Sequence, residues 1–125
     1  MVMLKAGMLA AALTMGATVS ANAMSLSFEW GPTTKCFDSK SPPIKISAVP
    51  KGTVKLRFSM SDLDASSFNH GGGTVEYTGQ NELPYGAFSY RGPCPPIRHI
   101  YQIYVQALDA AGKTLASAKA RQPFP

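Results

Sequence analysis

Hydrophobic and polar positions alternate most regularly over residues 54–61, where Val54, Leu56, Phe58 and Met60 interleave with Lys55, Arg57, Ser59 and Ser61. A period of two is what a strand with one face in a core and the other in water requires. Residues 54–61 are therefore predicted to form a central strand. A second run, 100–108, is rich in β-branched and aromatic residues. In an extended chain Tyr101, Ile103, Val105 and Ala107 share one face of it, and Gln102, Tyr104 and Gln106 the other. Weaker patterns predict strands at 25–30, 44–48, 74–78 and 87–90. Residues 109–112 read as a turn, and 113–120 suit either a short helix or an edge strand.

Glycine and proline punctuate the chain densely: Gly31-Pro32, Pro42-Pro43, Pro50-Lys51-Gly52, Gly71-Gly72-Gly73, Pro84 with Gly86, and Gly92-Pro93-Cys94-Pro95-Pro96. Segments between these marks are too short for most helices and suit strands. Short strands joined by turns favour an antiparallel sandwich or barrel. The expected fold is mainly β, with little helix outside the N-terminal segment.

That segment follows another pattern. Lys5 precedes an apolar run over 6–19, and Ser20-Ala21-Asn22-Ala23 has the small-x-small form that a signal peptidase cleaves. The run is shorter than the roughly 20 apolar residues that span a bilayer. Residues 1–23 are thus expected to be a signal peptide and 24–125 a single domain starting at Met24. No transmembrane segment is expected after cleavage, and the destination is the periplasm or the exterior. Composition suits a globular protein, with 45% hydrophobic and 15% charged residues. Without Lys5, eleven basic residues face seven acidic ones. Lys35, Lys40, Lys45, Lys51, Lys55 and Arg57 fall in a stretch whose one acid is Asp38. Such a patch either attracts anionic surfaces or merely solvates strands and loops. No nucleic-acid recognition motif is present, so nucleic acid is not an expected partner.

Four features carry candidate chemistry. Asp62 and Asp64 follow the best strand, and residues two apart in an extended segment face the same way, so both carboxylates are expected at one site. The alternative is a pair of turn-making aspartates that bond their own backbone. His70 precedes three glycines, a composition that lets backbone N–H groups approach an anion or simply makes a flexible turn. Gly92-Pro93-Cys94-Pro95-Pro96 is a rigid bend. It leads to His99 and Tyr101, which share a strand face and offer a titratable ring and a hydroxyl.

Gly92-Pro93-Cys94-Pro95-Pro96, His99, Tyr101 and Ala107-Leu108-Asp109, in that order, resemble the second signature block of bacterial phosphatidylethanolamine-binding (Raf kinase inhibitor-like) proteins. Asp62-x-Asp64 with Ala65, followed by His70, looks like the first block. Cys36, Ser41-Pro42-Pro43 and Pro50-Lys51-Gly52-Thr53 match the approach to it. The resemblance spans about 28–115. It implies a β-sandwich with a small anion pocket lined by Asp62, Asp64, His70, Gly92, Pro95, Pro96, His99 and Tyr101. It also implies a non-enzymatic binder of phosphate-bearing headgroups or other small anions, without a cofactor. Leu63 and Ser66 stand where that family usually has prolines, Gly71 where it has a tryptophan, and Ile100 where it has an arginine. A protein partner acting through a vestigial pocket is the second reading. A metal-dependent hydrolase using Asp62, Asp64, His70 and His99 is the third, though no catalytic signature accompanies it.

Two cysteines, Cys36 and Cys94, complete the picture. Export and an even count predict a disulfide between them; two unpaired thiols are the alternative.

Overall fold

The structure, a computed structural model, describes residues 23–94 and 97–125. Among the described residues seven strands follow one another: β1 (Ser25–Phe28), β2 (Ile44–Ser47), β3 (Lys55–Asp62), β4 (Asn69–Glu76), β5 (Glu82–Leu83), β6 (His99–Leu108) and β7 (Thr114–Phe124). All pairings are antiparallel. They form a three-stranded sheet, β1-β2-β5, and a four-stranded sheet, β4-β3-β6-β7. The chain is mainly β, as the alternation predicts, and the described residues contain no helix. The signal-peptide expectation falls outside the described residues except at Ala23; Met24 is already buried in the core.

The two predicted central strands are central. β3 and β6 pair from Lys55↔Leu108 to Asp62↔Tyr101. Leu56, Phe58 and Met60 of β3 and Tyr101, Ile103, Val105 and Ala107 of β6 turn inward. They meet Leu26, Phe28, Ile44 and Ile46 of the smaller sheet in one core. Phe58 stacks on Phe88 at 4.8 Å within it, where aromatic burial is a large share of the stabilisation. The turn at 109–112 forms as expected, with Gly112 N donating to Asp109 O at 2.9 Å and the Asp109 carboxylate accepting from Ala111 N and Lys113 N.

Three local expectations change. The glycine run is a strand rather than a loop: Gly72 and Gly73 of β4 pair with Ser59 and Phe58. A Cβ at Gly72 would fall on the Phe58 carbonyl, and one at Gly73 would lie 2.8 Å from Phe88 Cβ. The glycines therefore serve close packing rather than loop freedom. Residues 87–90 make only an isolated bridge, Lys40↔Ser89. The short strand β5, which no pattern marks, pairs with β2. Of the two alternatives for 113–120 the edge strand holds, with Thr114 to Ala120 in β7, which runs the length of β6. β6 needs a hydrogen-bond partner on its open edge, and Ala116, Ala118 and Ala120 alternate as a strand demands.

Candidate functional site

Tyr101 lies opposite Asp62 across the β3–β6 pairing, so both side chains fall on the inner face at one end of the large sheet. His99, two residues before Tyr101, shares that face. Its Nδ1 is 2.6 Å from Asp62 Oδ2. His70 arrives on β4 and turns Nδ1 onto the carbonyl of Arg91 at 2.6 Å, while Arg91 N donates to His70 O at 2.8 Å. That exchange ties β4 to the segment entering the proline bend. Gly92 N in turn donates to Asp38 O at 3.0 Å, an approach so close that a Cβ at Gly92 would sit 2.7 Å from that oxygen. The Cys36–Cys94 disulfide, with Cα atoms 4.4 Å apart, closes this layer. The bridge predicted from export and cysteine count is present.

Asp62, His70, His99 and Tyr101 surround a cavity of about 180 Å³, completed by Phe37, Ala65, Phe68 and Cys94. That is below the roughly 300–1,000 Å³ of sites for drug-sized molecules and suits an ion or a headgroup. Larger depressions of about 310 and 350 Å³ lie elsewhere, but neither holds an imidazole. Both imidazoles flank the Tyr101 ring, His70 edge-on at 5.4 Å and His99 at 6.3 Å.

A carbonyl and a carboxylate can only accept, so Nδ1 carries the proton in both histidines. Each Nε2 is the ring nitrogen left for a ligand, accepting when the ring is neutral and donating when it is charged. Burial pushes the Asp62 carboxyl up, but the His99 bond, the Asp64 backbone N–H and the charges of both imidazoles outweigh it. Asp62 therefore sits below its ordinary value and is ionised at neutral pH. Burial, then the Asp62 charge, pushes the Tyr101 phenol up to about 12, so it stays a donor. Nearer the disulfide, the hydrogen bond from Tyr85 and then the Lys40 backbone N–H hold the buried Asp38 carboxyl below its usual range.

Of the residues expected at the site, Asp62, His70, His99 and Tyr101 come together. Asp64 does not join them. β3 ends at Asp62, the chain turns, and Asp64 Oδ2 accepts from Ile100 N at 2.8 Å on the exposed side. Two residues apart share a face only while the strand continues. Gly92 holds the wall together without lining the cavity. Pro95 and Pro96 lie outside the described residues. The metal alternative needs Asp64 beside Asp62, His70 and His99, and Asp64 lies elsewhere; the described residues contain no group of three His, Cys, Asp or Glu placed to hold an ion.

Phe37, Phe68 and Arg91 were not expected. The two rings stack, 4° apart in plane at 5.8 Å, and the Arg91 guanidinium lies 4.3 Å from the Phe37 centroid and 5.1 Å from that of Phe68. An aromatic wall and a cation thus stand at the mouth although Gly71 and Ile100 occupy the positions where the resembled family carries them. Phe68 was legible in principle, since it precedes His70 by two residues; Phe37 and Arg91 arrive from distant segments.

This two-sheet arrangement is shared by solved structures. A phosphatidylethanolamine-binding protein homologue from Chlamydia trachomatis superposes with a TM-score of 0.60 at 20% identity, covering 84% of this chain and 99% of its own. The Escherichia coli protein YBCL, described as a member of the mammalian phosphatidylethanolamine-binding protein family, superposes at 0.59 and 19% identity, covering 82% and 98%. The chain has the phosphatidylethanolamine-binding protein fold. No family model and no curated protein matches it by sequence. The level of identity explains why: this fold is kept here by pattern and packing, with most side chains different. Within the phosphatidylethanolamine-binding protein fold, the cavity occupies the end of the large sheet where β3 leaves and β6 enters.

Proposed function

We propose that the protein binds a small anion, a phosphate-bearing headgroup included, in the cavity at the end of the large sheet, and is not an enzyme. The observation that carries this reading is the Asp62–His99 pair beside His70 in one small cavity. Asp62 alone would repel an anion. Paired with His99 it instead orients the ring, and charge-assisted hydrogen bonds from an imidazolium to an anion are the stronger kind. Tyr101 adds a neutral hydroxyl, and Arg91 a positive charge at the mouth. Export to an oxidising compartment is part of the reading, supported by the Cys36–Cys94 bridge and the signal-like N-terminus.

Titration calorimetry with inorganic phosphate and with phosphoethanolamine tests it. His99→Ala is expected to weaken binding by roughly 1.5–3 kcal/mol, the worth of a hydrogen bond to a charged group. Absence of binding to either probe across roughly pH 5–8, the range in which histidine sites switch, would refute the reading in favour of an exported protein acting through a protein partner.

A further inference from the structure

The large sheet has a second face, turned away from the core and unused by the cavity. On it Arg57 lies beside Gln106, Ser59 beside Tyr104 and Ser61 beside Gln102 in the β3–β6 register. Across the β6–β7 register Tyr104 meets Lys119, and Gln102 meets Arg121. Gly72 of β4 continues the Ser59 row, so the half-buried Tyr104 ring has no bulky neighbour on that side. Gln102 and Gln106 flank the ring along the strand, on the same face. They also hold the arginines: Arg57 Nε donates to Gln106 Oε1 at 3.2 Å, and Arg121 Nε to Gln102 Oε1 at 3.1 Å. Each guanidinium keeps its two terminal nitrogens for a ligand, a paired geometry that suits an oxyanion.

Charge on this face is almost all of one sign. Lys55, Arg57, Lys119 and Arg121 make no ion pair among the described residues. Of the chain's seven acidic residues only Glu76 stands on the outer face of the sheet, at its rim opposite Lys55. Asp62 is turned inward onto His99, and the Asp109 carboxylate is taken up by its own turn. Beyond Arg57 the face opens into the depression of about 350 Å³ that Lys55, Arg57 and Thr74 share with residues 108–112. Such a surface concentrates a polyanion, and its uncharged groups choose among polyanions. A bilayer calls for large apolar tips, and the rows around Tyr104 carry none. Single-stranded nucleic acid is held on successive aromatic platforms, and the strands of this face present one ring. An aromatic ring between two amides suits a sugar, whose apolar side covers the ring while its hydroxyls reach the amides.

We infer that the outer face of the large sheet binds an acidic polysaccharide. Arg57, Lys119 and Arg121 meet its carboxylate or sulfate groups, and Tyr104 stacks on a sugar ring between Gln102 and Gln106. The cavity opens on the other side of the same sheet, so this binding is independent of the anion-pocket reading above.

Calorimetry with oligogalacturonate and with heparin oligosaccharides, against uncharged dextran and an oligothymidylate, provides the test. The unaltered protein is expected to bind an acidic glycan, to ignore dextran, and to lose affinity steadily as salt rises. Arg57→Gln with Arg121→Gln should weaken binding roughly tenfold or more and flatten the salt dependence by about one to two counterions. Tyr104→Ile keeps a strand-favouring side chain and removes the ring; it should weaken binding roughly tenfold with the salt dependence unchanged. Tyr104→Phe, which keeps the ring, should restore most of the affinity. The melting temperature, and whatever affinity the cavity has for phosphoethanolamine, should stay the same in the arginine double variant, so the two readings fail separately. Loss of glycan binding in both the arginine and the Tyr104→Ile variants supports the inference. No binding to either acidic glycan, or binding indifferent to the arginine double variant, overturns it. Binding that depends on the arginines but not on the Tyr104 ring, or oligothymidylate bound as tightly as the glycans, also overturns it, leaving a patch that attracts any polyanion.

Discussion

Asp62→Asn keeps the shape of a buried side chain and removes its charge. Asp62 is 4% exposed. One carboxylate oxygen accepts from His99 Nδ1 at 2.6 Å and the other from Asp64 N at 2.8 Å. Asparagine retains an acceptor for Asp64 N but presents an amide where His99 needs an anion. The bond lost is therefore one to a charged group, worth about 1.5–3 kcal/mol. At a urea dependence of about 1.5 kcal/mol/M, the midpoint falls by roughly 1–2 M at pH 7. The pH dependence discriminates this from a packing defect. Because the folded carboxyl titrates below its ordinary value, the folded state holds fewer protons than the unfolded one between the two values. Its contribution is complete above the unfolded value of about 3.9 and disappears as pH falls through the lower folded value. The gap between Asp62→Asn and the unaltered protein should accordingly close in acid. Urea denaturation at neutral and acidic pH, disulfide intact, measures it. A gap that persists unchanged below the folded value, or no gap at pH 7, would show that the Asp62–His99 bond does not contribute as argued.

Replacing both Cys36 and Cys94 by serine opens a loop spanning a separation of 58 residues. In the chain-entropy model that costs about 4 kcal/mol, visible as a lower denaturation midpoint; an unchanged midpoint would count against the model. Gly72→Ala places a methyl on the Phe58 carbonyl and should destabilise by about 1–3 kcal/mol, whereas alanine at Gly79 has nothing near its Cβ and is strained only by its φ of 96°. Tyr90 has a buried hydroxyl without a hydrogen-bond partner, so Tyr90→Phe should leave thermal stability unchanged or raise it by about 1 kcal/mol; a clear loss would reveal an unseen partner for the hydroxyl.

Period-two alternation over 54–61 and the β-rich run over 100–108 determined the two central strands and their inward faces. Burying Leu56, Phe58, Ile103 and Val105 requires that side and no other. The same local information placed the turn at Asp109 to Gly112. The order of Asp62, His70, the proline bend, His99 and Tyr101 carried four of the cavity's lining residues, because three of them sit on the inward face of strands whose register follows from their pattern. The tertiary structure alone decided the rest. Asp64 leaves the site because β3 ends one residue after Ser61, and a strand's end depends on where its neighbour stops pairing. The glycine run is a strand because β3 offered it hydrogen bonds and left no room for a Cβ, and the choice between helix and edge strand for 113–120 fell to strand β7 because β6 had an unpaired edge. Phe37, Phe68 and Arg91 share one mouth across a sequence separation that only chain closure, through Cys36–Cys94 and the His70–Arg91 exchange, brings to contact distance. Local pattern reports which way a side chain faces, and packing between distant segments decides what it meets there.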